Sequence, residues 1–115
     1  MTAEINIFNC LDFIRDNSGK YAEAKANRVY LEEFRKSKKA LLMRQAETED
    51  PQRYKSSASQ ETYAYSHAEY IELLEGLRVA VEREEHYRYL IEGARLKIEA
   101  WRTLESSKRI EARTI

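Results

Sequence analysis

With 115 residues, the chain has room for one domain and one modest core. Lys plus Arg and Asp plus Glu both number 20, so a formal net charge of zero on a chain that is 35% charged speaks against a generic polyanion binder. Three Gly and one Pro exclude a turn-rich β fold and point to long helices. No stretch approaches the roughly 18 consecutive apolar residues of a membrane span. The opening MTAEINIFNC lacks the basic start and apolar run of a leader. The expectation is a soluble, cytoplasmic protein of one domain, 1–115. Cys10 stands alone, cannot form an internal disulfide, and reads as a small residue facing a core.

In INIFNCLDFIRD, Ile7, Phe8, Leu11 and Ile14 recur at three- and four-residue steps and predict a short helix over about 5–16. Asn17, Ser18 and Gly19 supply a break, since Gly tolerates the left-handed conformation that ends helices and Ser or Asn caps the next one. A second helix over about 20–49 follows, with Tyr21, Ala24, Leu31, Phe34, Leu41 and Leu42 at helical spacing. It ends at TEDPQ, because Pro51 disfavours helix at the residue before it. The polar, serine-rich RYKSSASQ reads as part of a loop over about 50–65.

A third, long helix is expected over about 66–108. Ser66 and Glu69 have the spacing of a capping box at its start. From Tyr70 a heptad phase persists through Leu73, Leu77, Ala80, Glu84, Tyr87, Ile91, Ala94, Ile98 and Trp101, with Glu84 the one position that is neither apolar nor aromatic. Leu74, Val81, Leu90 and Leu104 widen this stripe on its flanks and form a candidate oligomer interface. Gly76 and Gly93 lie inside the helix at a cost in propensity and are read as points of close helix approach.

Charge is unevenly divided. Between Lys20 and Arg44 there are eight cations against three acids, whereas between Glu61 and Glu105 there are ten acids against six cations. Two long helices of opposite sign favour an antiparallel hairpin with charged flanks facing each other. The densest basic stretch lies in LEEFRKSKKALLMR and supplies Arg35, Lys36, Lys38, Lys39 and Arg44 as candidate contacts for a partner or nucleic acid. The plainer reading makes these cations a solvated face or ion-pair partners of the acidic helix.

Reaction chemistry is sparse. His86 has Glu82 one turn before it, but a helix pair of ligands falls short of the four that a stable metal site takes. Cys10 has no base near it in sequence, and the isolated glycines make no phosphate-cradling loop. No enzyme activity, metal or cofactor is expected. Of the eight Tyr, Tyr54, Tyr63, Tyr65 and Tyr89 lie off the seam near basic residues. They fit either stacking contacts to single-stranded nucleic acid or polar contacts across a helical interface.

The stretches KYAEAKANRVYLEEFRKSKKALLM and AEYIELLEGLRVAVEREEHYRYLIEGARLKIEAWRTLE, which lie within Lys20 to Glu105, resemble a group of small helical proteins of tailed phages and prophages encoded near early genes for DNA recombination or replication. The resemblance implies a setting in the bacterial host cell and a phage or host DNA-metabolism protein as partner. It implies no catalytic residue.

Together these readings predict an all-α protein, a long antiparallel coiled-coil-like hairpin with a short N-terminal helix, completed to a helical bundle by oligomerisation. The expected role is that of a non-enzymatic interaction or accessory protein acting through protein partners. Direct nucleic-acid binding by the basic helix is the alternative.

Overall fold

The computed structural model describes residues 4–114. All regular structure in them is helical: α1 (Ile7–Glu49), α2 (Ser57–Ser66) and α3 (Ala68–Thr114). The fold is all-α, with α1 and α3 as the arms of a long antiparallel hairpin. By packing, the chain divides into two compact units. A terminal unit comprises Met1–Glu23 with Glu84–Ile115, and a turn unit comprises Ala24–Arg83.

The heptad phase read from Tyr70 survives intact. Tyr70, Leu77, Ala80, Glu84 and Ala94 are buried, and Leu73, Tyr87, Ile91, Ile98 and Trp101 are half-buried. Glu84 is the only buried charged residue among those described, at 6% exposure. Its polar atoms are not orphaned, for no buried side-chain nitrogen or oxygen among the described residues lacks a hydrogen-bond partner.

The predicted short N-terminal helix is instead the first part of α1, which runs unbroken through Asn17, Ser18 and Gly19. The polar side chains that suggested a break are satisfied inside the helix. Asn17 Nδ2 donates to Phe13 O at 2.8 Å and Ser18 Oγ donates to Ile14 O at 2.5 Å, each one turn back. No glycine among the described residues adopts a positive φ. Gly19 therefore costs about 1 kcal/mol against alanine, a deficit that a continuous seam from Cys10 through Ile14, Asn17, Tyr21 and Ala24 outweighs.

A second correction falls in the expected loop, where α2 occupies Ser57–Ser66. The serines of RYKSSASQ include its cap: Ser56 Oγ accepts from Ser59 N at 3.1 Å. The capping box at Ser66 and Glu69 does not form. Ser66 closes α2, its hydroxyl donating to Thr62 O, while His67 Nδ1 accepts the Glu69 amide at 3.0 Å and caps α3 in its place. His67 thus punctuates both helices, since its own amide donates to Ala64 O at 3.3 Å. At its far end α3 continues six residues past the expected 108, to Thr114.

Each unit has its own packing. In the turn unit the three helices meet at Leu42 of α1, Ala64 of α2 and Tyr70 of α3, with Met43 against them. Ala46 and Ala64 are fully buried, and their small side chains let α2 lie close on its neighbours. In the terminal unit, Ile5, Ile7 and Phe8 share a recess with Trp101, while Cys10 and Phe13 share a cleft with Leu90 and Ala94. Rising numbers on α1 meet falling numbers on α3, as an antiparallel pair requires.

Candidate functional site

The five basic residues singled out by sequence belong to the turn unit and serve two purposes there. Arg35 and Lys38 continue the α1 seam, seven residues after Arg28 and Leu31, and are half-buried. Long aliphatic stems cover the seam while the charged heads reach its edge. Lys38 Nζ lies 2.9 Å from Glu69 on α3, and Lys39 Nζ lies 3.2 Å from Glu61 on α2. Lys39 also sits 4.9 Å from the centre of the Tyr65 ring. These contacts tie α1 to both of the other helices. The hydrogen bond from Lys38 holds the Glu69 carboxyl below the usual carboxylate range. Lys39 is raised by its contact with Tyr65 and then by Glu61. Lys36 is exposed and pairs with Glu33 within α1, and Arg44 is exposed.

Most of the tyrosines without a place in the seam also have structural work in the turn unit. Tyr63 packs edge-on to Tyr54 at 5.2 Å between ring centres, and its hydroxyl donates to Glu49 while accepting from Gln45. Burial and then the Glu49 hydrogen bond raise the Tyr63 hydroxyl above its ordinary value. Tyr65 meets Tyr70 in the same edge-on way at 5.3 Å. Tyr89, in the terminal unit, differs: it is 63% exposed, with the Arg88 guanidinium over its ring at 4.5 Å.

With Tyr70 as position a of the heptad, Leu74 and Val81 occupy row e, whereas Leu90 and Leu104 occupy row g. The nine-residue step from Val81 to Leu90 crosses from one side of the seam to the other, about 150° apart at 3.5 residues per turn. The four residues therefore form two pairs, one in the turn unit and one in the terminal unit. Row e does not stay apolar, for Arg88, Arg95, Arg102 and Arg109 continue it. Beside those arginines, Glu85, Glu92 and Glu99 stand at three- and four-residue spacing, and Arg88 pairs with Glu85. This side of α3 is a charged ladder.

Rows c, f and g tell the two units apart. In the turn unit they carry Glu69, Glu72, Glu75, Glu82 and Arg83, with only Ala68, Gly76 and Val79 uncharged. From Tyr89 to Ile110, in the terminal unit, the same rows carry one charge, Lys97. Tyr89, Leu96 and Ile110 of row f and Leu90 and Leu104 of row g are all exposed, Leu96 at 56% and Ile110 at 61%. Between them row c supplies the small residues Gly93, Ala100 and Ser107. Comparing off-seam rows between the two parts of one helix would have revealed this face from sequence.

The face opens into a cleft of about 410 Å³ in the terminal unit. Its floor is Cys10 of α1 and Ala94 of α3, and Phe13, Leu90 and Tyr89 wall it. Gly93 lies at its mouth, and a Cβ placed there would meet nothing within 4 Å. Gly76 is equally open, so neither glycine marks a close approach of helices within the chain. The cleft is apolar, with Asn9 and Lys97 as its polar edge. Such a recess suits an apolar side chain.

Elsewhere, His86 stacks edge-on against Tyr87 at 5.3 Å, and no group of three or more His, Cys, Asp or Glu able to hold a metal occurs among the described residues. No helix among them is long and apolar enough to cross a membrane. Comparison with family models, with curated proteins and with solved structures gave no match.

Proposed function

We propose that this chain is a non-catalytic helical accessory protein that acts by association, assembling with itself and engaging a protein of DNA recombination or replication. The observation that carries this reading is the loss of charge from the outer rows of α3 between Tyr89 and Ile110, where the same rows are heavily charged between Ala68 and Arg83. Water alone gives no reason for one part of an exposed helix face to shed its charges, and a contiguous exposed apolar patch marks an interaction surface. The cytoplasm of a bacterial host and the DNA-metabolism setting come from the resemblance to phage helical proteins.

Direct nucleic-acid binding by the basic helix has less support, because a phosphate approaching Lys36, Lys38 and Lys39 meets Glu33, Glu61 and Glu69 beside them. Calorimetric titration of the wild type and a Leu96→Glu variant against purified recombination and replication proteins tests the reading. The expected result is binding by the wild type that the variant loses while keeping its helical melt. Binding that ignores Leu96→Glu would overturn the role given to the outer face, and steeply salt-dependent DNA binding abolished by joint Lys36→Ser, Lys38→Ser and Lys39→Ser substitution would replace the reading with the nucleic-acid one.

A further inference from the structure

We propose that His67 is a proton-operated latch at the corner between α2 and α3: its neutral ring caps α3, and protonation releases the cap and loosens the first turn of that helix. His67 Nδ1 accepts the Glu69 amide at 3.0 Å, so in the capped corner Nδ1 is bare and the ring proton sits on Nε2. A second proton can go only to Nδ1. It turns the acceptor into a donor that faces another donor.

A hydroxyl cap has no such sensitivity. Ser56 Oγ, which caps α2 by accepting from Ser59 N at 3.1 Å, is an acceptor in neutral and mildly acidic solution alike. Imidazole changes charge between about pH 5 and 8. Of these two caps, only that of α3 therefore responds to mild acid. The backbone of the corner cannot give way in place of the ring, because the His67 amide donates to Ala64 O at 3.3 Å and its carbonyl accepts from Tyr70 N and Ile71 N at 3.1 Å. The half-buried ring must swing, and it leaves the Tyr63 ring, 5.5 Å away, as it does so.

The charged and titratable groups around the ring come from all three helices. Tyr63 of α2 is tied by its hydroxyl to Glu49 of α1, and Glu69 of α3 lies 2.9 Å from Lys38 of α1. An imidazolium is attracted by the Glu69 carboxylate and by the Tyr63 ring, and is repelled by the positive end of the 47-residue α3. Glu69 is already engaged: the Lys38 hydrogen bond is the first cause of its lowered carboxyl and the charge of His67 the last. Neither attraction restores an acceptor for the Glu69 amide. Release then acts on the core of the turn unit, since the first turn of α3 holds Lys38 through Glu69 and carries Tyr70, which is buried with Leu42 and Ala64. A loosened turn frees a cation of α1 and uncovers part of the cluster that joins the three helices.

Thermal melts at about pH 7.5 and about pH 5.5, values within the imidazole range, test the latch. Acidification should lower the melting temperature of the wild type by about 2 to 4 °C more than that of His67→Asn, whose side-chain oxygen caps at both values. The other histidine, His86, lies in the terminal unit, and His86→Gln should keep the wild-type acid shift. In NMR spectra, His67 Nδ1 should carry no proton at the upper value, and the Glu69 amide proton should move upfield as the ring is protonated. A proton on Nδ1 at the upper value, an acid shift that His67→Asn shares in full, or one that disappears with His86→Gln overturns the latch.

Discussion

The turn unit and the terminal unit draw on the same two long helices and the same heptad, and they spend their surfaces differently. In the turn unit a third helix covers the pair, Leu42 is buried to 1% exposure, and the outer rows of α3 are acidic. In the terminal unit two helices alone leave Cys10 and Ala94 at the bottom of an open cleft, and the outer rows are apolar. Where the chain supplies its own third helix the exterior is wet. Where it does not, the exterior has the character of an unfinished core. A two-helix layer buries one stripe per helix, and further apolar surface needs another element to cover it.

The sharpest way to break this contrast is to place one charge in each kind of apolar site. Leu77→Asp puts a carboxylate in the buried seam of the turn unit and should cost about 3 to 5 kcal/mol, seen as a large drop in the helical melting temperature. Leu96→Asp, on the exposed face of the terminal unit, should leave the melt of the dilute monomer almost unchanged. Equal losses at both positions would mean that the outer face is part of an internal core.

A smaller effect is expected at the corner between α2 and α3. His67→Ala removes the acceptor of the Glu69 amide and should destabilise by about 1 kcal/mol, whereas His67→Asn should recover most of it by capping through its side-chain oxygen. Thermal melts of the two variants provide the check. Because the corner belongs to the turn unit, neither change should alter the fluorescence of Trp101, the one tryptophan of the chain, which lies in the terminal unit.

The smallest effect concerns acid. The Lys38 hydrogen bond holds the folded Glu69 carboxyl low, and Arg78 does the same to Glu75. A lowered folded value means that each contribution is present above the unfolded carboxylate value of about 4.3 and disappears as pH falls through the lower folded value. Both groups are in the turn unit. Glu69→Gln should therefore flatten the decline of melting temperature on acidification slightly, and a steeper decline in the variant would reverse the assignment.

Periodicity, composition and charge were sufficient to read the all-α hairpin and the α3 seam from Tyr70 to Trp101, because burial of a stripe repeats every three to four residues and leaves its imprint on residue type. They also implied pairing between basic α1 and the acidic residues downstream, which Lys38 with Glu69 and Lys39 with Glu61 satisfy. Helix punctuation is ambiguous where one residue type serves two ends. Asn17 and Ser18 bond back into a continuing helix, and Ser56 opens a helix instead of extending a loop. Local chemistry permits both outcomes, and only the packing of Cys10, Tyr21, Ala46 and Ala64 selects between them. The same holds for the candidate site. Apolar residues at Leu74, Val81, Leu90 and Leu104, their division into two flanks and the bare face from Tyr89 to Ile110 can all be read from the heptad rows, but the cleft at Gly93 exists only once both helices are laid side by side. Residue type fixes what a side chain prefers to touch, and the tertiary arrangement decides which preferences remain unmet.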